Sequence, residues 1–312
     1  MPGKTARAAS SHGAGTGSGN GNISAIEFDV WGARGSRNLT PATSRIANYT
    51  SCYSLKAGPE LFVIDGGRGL GVLSHAIANA RRFKDVERIH LFLSHSHMDH
   101  WEGLKDAGWF WHNGNGLSLS VLGASEALEA VQNGYGHPAY VPLEILAERT
   151  LRDLRFVTLK ADETRRVRGW SFRTFPLNHY SGMGNHKIHL ATLGYRVRSP
   201  QGFVFAYLCD HEPTPETADL ERRMLSGTHL AVIDAHFGNR AQHAFGHGSQ
   251  EHAAALAREH TETLVLAAHH GPTSTDAEIR SIHKRHGKGL KNFAIAVEGT
   301  TLKWDCRRKR FR

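Results

Sequence analysis

Apolar residues recur along this chain in two alternating rhythms. Short runs rich in valine, leucine, isoleucine and phenylalanine predict strands over 26–30, 52–55, 61–64, 89–93, 117–122, 170–175, 193–197, 203–208, 230–233, 264–268 and 293–297. Between them, segments with an apolar face at helical spacing predict helices over 70–82, 125–133, 217–225, 249–260 and 276–285. The segment at 249 shows the rule. Ser249 is a suitable N-cap, and Ala253, Ala254, Leu256 and Ala257 fall on one apolar face. Strands and helices alternate with no internal repeat, so the fold class is α/β. Periodicity carries the reading no further than that class.

The polar positions that matter sit where the apolar runs stop. The run 89–93 leads into Leu93-Ser94-His95-Ser96-His97-Met98-Asp99-His100, which places three imidazoles and a carboxylate within six residues. A strand delivers such residues to a fixed edge, and the loop after it can turn them onto one point. Their nitrogen and oxygen donors suit zinc or a similar first-row metal. Histidine is common here, at 22 of 312 residues, so three close together would say little. The order His-x-His-x-Asp-His directly after a strand says much more. Later strands end in the same way, 170–175 before His179, 203–208 before Asp210 and 264–268 before His269. His270 competes with His269 for the last place. Read singly, each is an ordinary loop histidine or capping aspartate; read in order, they look like one ligand set.

These motifs resemble those of the metallo-β-lactamase superfamily, over about residues 23–304. The resemblance implies a four-layer αββα sandwich and two divalent metal ions, zinc first, with manganese or iron as alternatives. It implies that His95 and His97 hold one metal and that Asp99 and His100 hold a second. His179, Asp210 and His269 complete the set, with Asp210 bridging both. His269 is preferred over His270 because the resembling sequences place the ligand first in a His-His-x-Pro turn.

The opening Trp31-Gly32-Ala33-Arg34-Gly35-Ser36 narrows the resemblance to a bacterial branch related to cyclic-nucleotide and phosphonate-pathway cyclic phosphodiesterases. Asn48-Tyr49-Thr50-Ser51-Cys52 resembles that branch's Asn-Thr-Ser-Cys element, with Tyr49 as a departure, and Phe62 to Gly67 its strand-to-Asp-Gly turn. Arg34 is expected either to brace the metal loops or to touch phosphate; Asp65 is expected to orient the motif loop. Phe245-Gly246-His247-Gly248-Ser249 resembles the Gly-His-Ser loop of phosphodiesterases, the tRNA 3′-processing ribonucleases among them, with Gly248 inserted. That implies His247 as general acid, against the blander reading of a histidine packed at a helix start. His236 is a weaker candidate.

The implied enzyme is a binuclear hydrolase in which a metal-bridging hydroxide is the nucleophile and His247 protonates the departing oxygen. Asp99 and His247 are the residues assigned to the chemical step. The short intervals from His179 to Asp210 and from Asp210 to His269 leave no room for an RNA-gripping arm or an inserted nuclease domain. A small anionic phosphodiester, such as a cyclic nucleotide, is favoured over polymeric nucleic acid. Trp109-Phe110-Trp111-His112 and the loop around Tyr135 could stack on a base, although such stripes are more often core. A lactonase or thioesterase would use the same ligands on a carbonyl. A binding module without activity is the remaining class; its usual mark is a missing ligand, and all are present.

Composition adds boundaries. With 40% hydrophobic residues and a ligand set spanning His95 to His269, the chain reads as one domain. Residues 1–22, rich in Gly and Ser, read as a disordered tail, and 305–312 as a basic tail with some capacity for nucleic acid or an acidic partner. A net charge of +9 fits an anionic substrate. No apolar run approaches the roughly 18 residues of a membrane span. Three cysteines, Cys52, Cys209 and Cys306, suggest a reducing compartment, hence the cytoplasm. A homodimer is compatible with all of this.

Overall fold

Strands whose two faces are both apolar must be covered on both sides, and this chain folds accordingly. The computed structural model describes residues 23–39, 44–112, 116–182 and 186–312, so the tail assigned to 1–22 lies outside the described residues. The N-terminal half lays down β1 (Ala25–Gly32), β2 (Cys52–Ala57), β3 (Glu60–Ile64), α1 (Gly69–Asn79), β4 (Arg88–Phe92), β5 (Ser118–Gly123), α2 (Ser125–Gly134), α3 (Leu143–Thr150) and β6 (Asp153–Thr158). There follow β7 (Thr164–Val167), β8 (Trp170–Pro176), β9 (Tyr180–Ser181), β10 (Ile188–His189), β11 (Leu193–Arg198) and β12 (Val204–Leu208). The chain closes with α4 (Ala218–Leu225), β13 (Leu230–Asp234), α5 (Gln250–Glu259), β14 (Leu264–Ala268), α6 (Asp276–His286), β15 (Phe293–Ile295), β16 (Thr301–Asp305) and β17 (Arg310–Phe311).

Two large sheets result. One has eight strands in the order β17-β16-β1-β2-β3-β4-β5-β6, the other seven in the order β15-β14-β13-β12-β11-β8-β7. Each is part parallel and part antiparallel: β3 to β6 run parallel in the first, β12 to β15 in the second. Alternate side chains divide each strand between two cores. Phe62 and Ile64 of β3, Phe92 of β4, Phe172 of β8, Tyr195 of β11, and Phe205 and Tyr207 of β12 fill the space between the sheets. Leu61, Val63, Ile89 and Leu91 face the other way, against Leu70 and Leu73 of α1, Leu128 of α2 and Leu143 of α3. Ala206, Leu208, Ala231 and Ile233 face Met224 of α4 and Ala253 and Leu256 of α5. The four-layer αββα sandwich expected from the resemblance is the observed architecture.

The strands absent from the sequence reading lie mostly where alternation is weak. β6 and β7 form the far edges of the two sheets and carry Arg155, Arg165 and Arg166 on exposed positions, so their pattern resembles a loop. The basic run at the C-terminus folds back: β17 pairs with β16, Trp304 lying opposite Phe311, and Arg312 Nε donates to Asp305 at 2.8 Å. Among the described residues no helix is long and apolar enough to cross a membrane. The aromatic stretch at 109 divides between roles, Trp109 and Phe110 being buried in the helix-side core and Trp111 exposed.

Candidate metal centre

Five strands of the parallel and adjoining regions aim their carboxyl ends at one place. β4 ends before His95, β8 before His179, β12 before Asp210, β13 at Asp234 and β14 before His269. Ligand sites in α/β sheets sit at such ends because loops there can converge without disturbing the sheet. Two of these turns, and the one after β3, need unusual backbone: Asp210, His269 and Asp65 have φ of 58°, 56° and 59°. A side chain with a β-carbon pays strain in that left-handed region, and the fold holds it there to aim the side chain back across the strand end. Close approach completes the frame. A β-carbon on Gly67 would meet the Asp99 carbonyl oxygen at 2.3 Å, so only glycine lets the histidine loop settle against the β3 turn.

The seven residues singled out as ligands come together. His95, His97 and His179 form one group of donor atoms within 4.8 Å of each other, and Asp99, His100 and His269 form another. Asp210 lies between them. Its Oδ1 is 3.7 Å from His179 Nε2 and 3.3 Å from His269 Nε2, and its Oδ2 is 3.2 Å from His100 Nε2. His269 Nε2 also lies 3.7 Å from Asp99 Oδ2. His270 instead pairs by backbone with the Ala33–Gly35 segment, away from this cluster. His95 Nε2, His100 Nε2, His269 Nε2 and Asp210 Oδ2 are buried without a hydrogen-bond partner. Buried donors and acceptors are rarely left so, and several facing one point fit cations.

The far sides of the ligands are anchored. His100 Nδ1 lies 2.7 Å from Asp65 Oδ2, which also accepts from the Tyr207 hydroxyl at 2.6 Å and the Ser94 hydroxyl at 2.9 Å. His179 Nδ1 lies 2.9 Å from the Gly246 carbonyl oxygen, and His97 Nε2 lies 2.7 Å from the Ser181 hydroxyl. Each bond leaves the other ring nitrogen facing the cluster, His97 Nδ1 being 3.1 Å from His179 Nε2. Such outer partners fix tautomer and orientation. Asp65→Asn is therefore expected to weaken metal binding roughly 10- to 100-fold without unfolding the chain, read by competition with a chromophoric chelator. Unchanged affinity would show that Asp65 serves packing alone.

Charge is distributed unevenly across the cluster. Burial holds His95 well below the usual imidazole range and brings His179 down to about 4. Burial also works against charge on His269, but Asp210 and Asp99 overcome it and push that imidazole up to about 9. Against the same burial, His100 keeps the Asp99 and Asp210 carboxyls well below the ordinary carboxylate range. One end is thus a neutral trio of imidazoles, the other a charge-paired group of acid and base.

His247 stands beside the ligands. Its Nδ1 is 2.9 Å from Asp234 Oδ2 and 3.7 Å from Asp210 Oδ1, and its ring stacks on His236 with centroids 4.4 Å apart. His247 also falls within donor groups containing His179 and Asp210, or His236 and His269. Asp234 escaped the sequence reading as a partner, although it ends β13 as Asp210 follows β12. Arg34, by contrast, is spent on structure: fully buried, it donates to the carbonyl oxygens of Ala47, Gly271 and Ser274. The cleft above the cluster encloses about 350 Å³ and is lined by Ser36, His97, Asp99, Tyr180, Phe245 and His247, among others.

The family model described as a beta-lactamase superfamily domain matches residues 62–270. The chain belongs to that superfamily. Solved structures agree in fold. A metallo-beta-lactamase fold protein, YhfI from Bacillus subtilis, is 15% identical with a TM-score of 0.62, covering 90% of this chain and 99% of that one. A diphosphatase from the PhnP family is 16% identical with a TM-score of 0.61, covering 89% and 97%. Unliganded yeast PDE1 is 15% identical with a TM-score of 0.62, covering 89% and 99%. No curated protein sequence matches. As a beta-lactamase superfamily member the chain is a metal-dependent hydrolase, with divalent ions implied by the fold and donors placed to hold them.

Proposed function

We propose that this superfamily member is a phosphodiesterase acting on a small phosphodiester, a cyclic nucleotide being the type of substrate envisaged. The observation that carries the reading is the Asp234–His247 pair, set against the ligand cluster with an Nδ1 to Oδ2 distance of 2.9 Å. His95, His97 and His179 would hold one divalent ion, Asp99, His100 and His269 a second, with Asp210 between them. Held there, such ions supply positive charge for phosphoryl oxygens and a water acidified enough to attack near neutral pH.

The remaining work falls to side chains. A ribose alkoxide is a poor leaving group, so its departure needs a proton delivered as the bond breaks. With Nδ1 turned to Asp234, His247 has Nε2 left to hold and deliver that proton. Desolvation penalises charge on Asp234, yet the adjacent imidazoles of His247 and His269 keep its carboxyl well below the ordinary range. It therefore stays anionic and can stabilise a protonated His247. The cleft is lined by the ligand residues His97, Asp99, His179, Asp210 and His269, and beside them by Ser36 and Ser181, whose hydroxyls suit substrate oxygens. A volume of about 350 Å³ suits one small molecule rather than a polymer. The PhnP-family diphosphatase and yeast PDE1 share the fold, which lends the reading support by analogy alone.

The test is a panel of initial rates on metal-replete protein with a cyclic nucleotide, bis(p-nitrophenyl) phosphate, a lactone and a thioester. Turnover of phosphodiesters well above the carbonyl substrates is expected. Turnover of a lactone or thioester with every phosphodiester at background would replace this reading by the alternative of a lactonase or thioesterase.

A further inference from the structure

The outer face of the second sheet carries an arrangement the cleft chemistry does not use. In register, Arg196 of β11 lies directly opposite Arg173 of β8, Arg198 lies opposite Ser171, and Ser171 on its other side lies opposite Arg166 of β7. Residues directly opposite one another in a sheet share a face, so Arg166, Arg173, Arg196 and Arg198 all project from one surface. Arg166, Arg173 and Arg198 are exposed and Arg196 is half-buried. The Arg173 guanidinium lies over the Phe175 ring at 4.9 Å, with Arg223 of α4 at 5.8 Å from the same ring. That cation–π contact ties the Arg173 head to the sheet surface while the residue stays exposed.

Guarding an edge strand with basic residues is a common device against aggregation, and it accounts for β7. It does not account for β11, which lies inside the sheet between β12 and β8. Like charges directly across a ladder destabilise it, and the Arg173–Arg196 pair has that geometry. No carboxylate within ion-pairing distance of these four arginines occurs among the described residues; Arg196 donates instead to the Ser226 carbonyl oxygen at 2.8 Å. Burial lowers the Arg196 pKa, and Arg198 and Arg173 lower it further. The His229 imidazole is lowered by burial and then by Arg196, Arg198 and Lys309, so the positive surface continues towards the C-terminal hairpin.

We propose that this arginine face docks a nucleic-acid strand through its phosphates. Three observations choose that partner. The cluster on the sheet is built of arginine alone, whose planar fork matches phosphate oxygens in pairs. The large exposed apolar residues of the described chain, such as Met98, Ile188 and Phe245, lie on other segments, so the face lacks the insertion that membrane binding uses. Adjacent strands stand about 4.8 Å apart and alternate residues about 7 Å apart, giving a grid of cations for an extended polyanion. The face is separate from the chemistry. Arg173 precedes His179 by roughly 20 Å of extended chain, so docking anchors the protein and leaves the cleft free for its small substrate.

The experiment measures binding of the full-length protein to a fluorescein-labelled single-stranded RNA of mixed sequence by anisotropy, at 50 to 200 mM salt. Neutralising four phosphates on a single strand predicts about a 50-fold loss of affinity across that range. Replacing the three exposed arginines together, as Arg166→Gln, Arg173→Gln and Arg198→Gln, should weaken binding and reduce the salt effect to about threefold. A control removes the same charge elsewhere, at the exposed Arg81, Lys84 and Arg152 that flank α1 and β6, as Arg81→Gln, Lys84→Gln and Arg152→Gln, and should retain the steep dependence. Circular dichroism and metal content verify that both variants fold. Equal loss in the two variants would reduce the effect to net charge and overturn the proposal. So would absence of binding at 50 mM salt, or equally tight binding of a labelled poly-glutamate peptide.

Discussion

Asp210→Ala is expected to strip the protein of most of its bound metal and to lower turnover on the order of 10³-fold, the equivalent of several kcal/mol of lost charge stabilisation. The carboxylate stands between the two donor groups, 3.7 Å from His179 Nε2, 3.2 Å from His100 Nε2 and 3.3 Å from His269 Nε2. Without it the imidazoles of both groups face one another with no anion between them. Burial disfavours charge on His269, and Asp210 leads the groups that hold its imidazole at about 9, so the substitution should bring that imidazole down. Elemental analysis against wild type, with thermal unfolding as a control for folding, reads the effect. Two metal equivalents retained by a folded variant would remove Asp210 from the ligand set.

The second large effect concerns His247. His247→Ala should retain its metals, since the seven proposed ligands are untouched, yet lose roughly 10²- to 10⁴-fold in kcat on a substrate that releases an alkoxide. On bis(p-nitrophenyl) phosphate, whose phenolate departs without a proton, the loss should be much smaller. Asp234→Asn should reproduce the same contrast in weaker form, because it keeps the imidazole and weakens the 2.9 Å contact that orients it. Equal losses on both substrates would exclude proton delivery. Loss of metal in His247→Ala would assign the residue instead to the donor groups it shares with His179 and Asp210.

Several features of the site could be read along the chain because strands make them local. His95, His97, Asp99 and His100 follow one strand within a few residues, so their convergence needs only a turn. His179, Asp210 and His269 each terminate an apolar run, and the position was visible even though the destination was not. The paired histidines at 269 and 270 show where local reading stopped. One sits at φ 56° and turns into the cluster, while its neighbour joins a backbone bridge to Arg34. Sequence spacing treats them alike; only the direction of the chain leaving β14 separates them.

What the sequence determined by itself was the alternation of strands and helices, the metal-type donor set and its order. These rest on side-chain period and on residue chemistry, which are properties of short segments. The tertiary structure decided everything that depends on two distant segments meeting. It brought Asp65 to His100 and Tyr207 to Asp65, contacts whose partners lie 35 and 142 residues apart, and it turned the loop after β13 so that His247 meets Asp234. It committed Arg34 to backbone carbonyls rather than to the cleft, and it set Arg173 against Arg196 on one face. Registers and hydrogen bonds of that kind follow from how two sheets pack and which strand neighbours which. No window along the chain contains that information, because the free energy that selects it comes from burial shared across the whole sandwich.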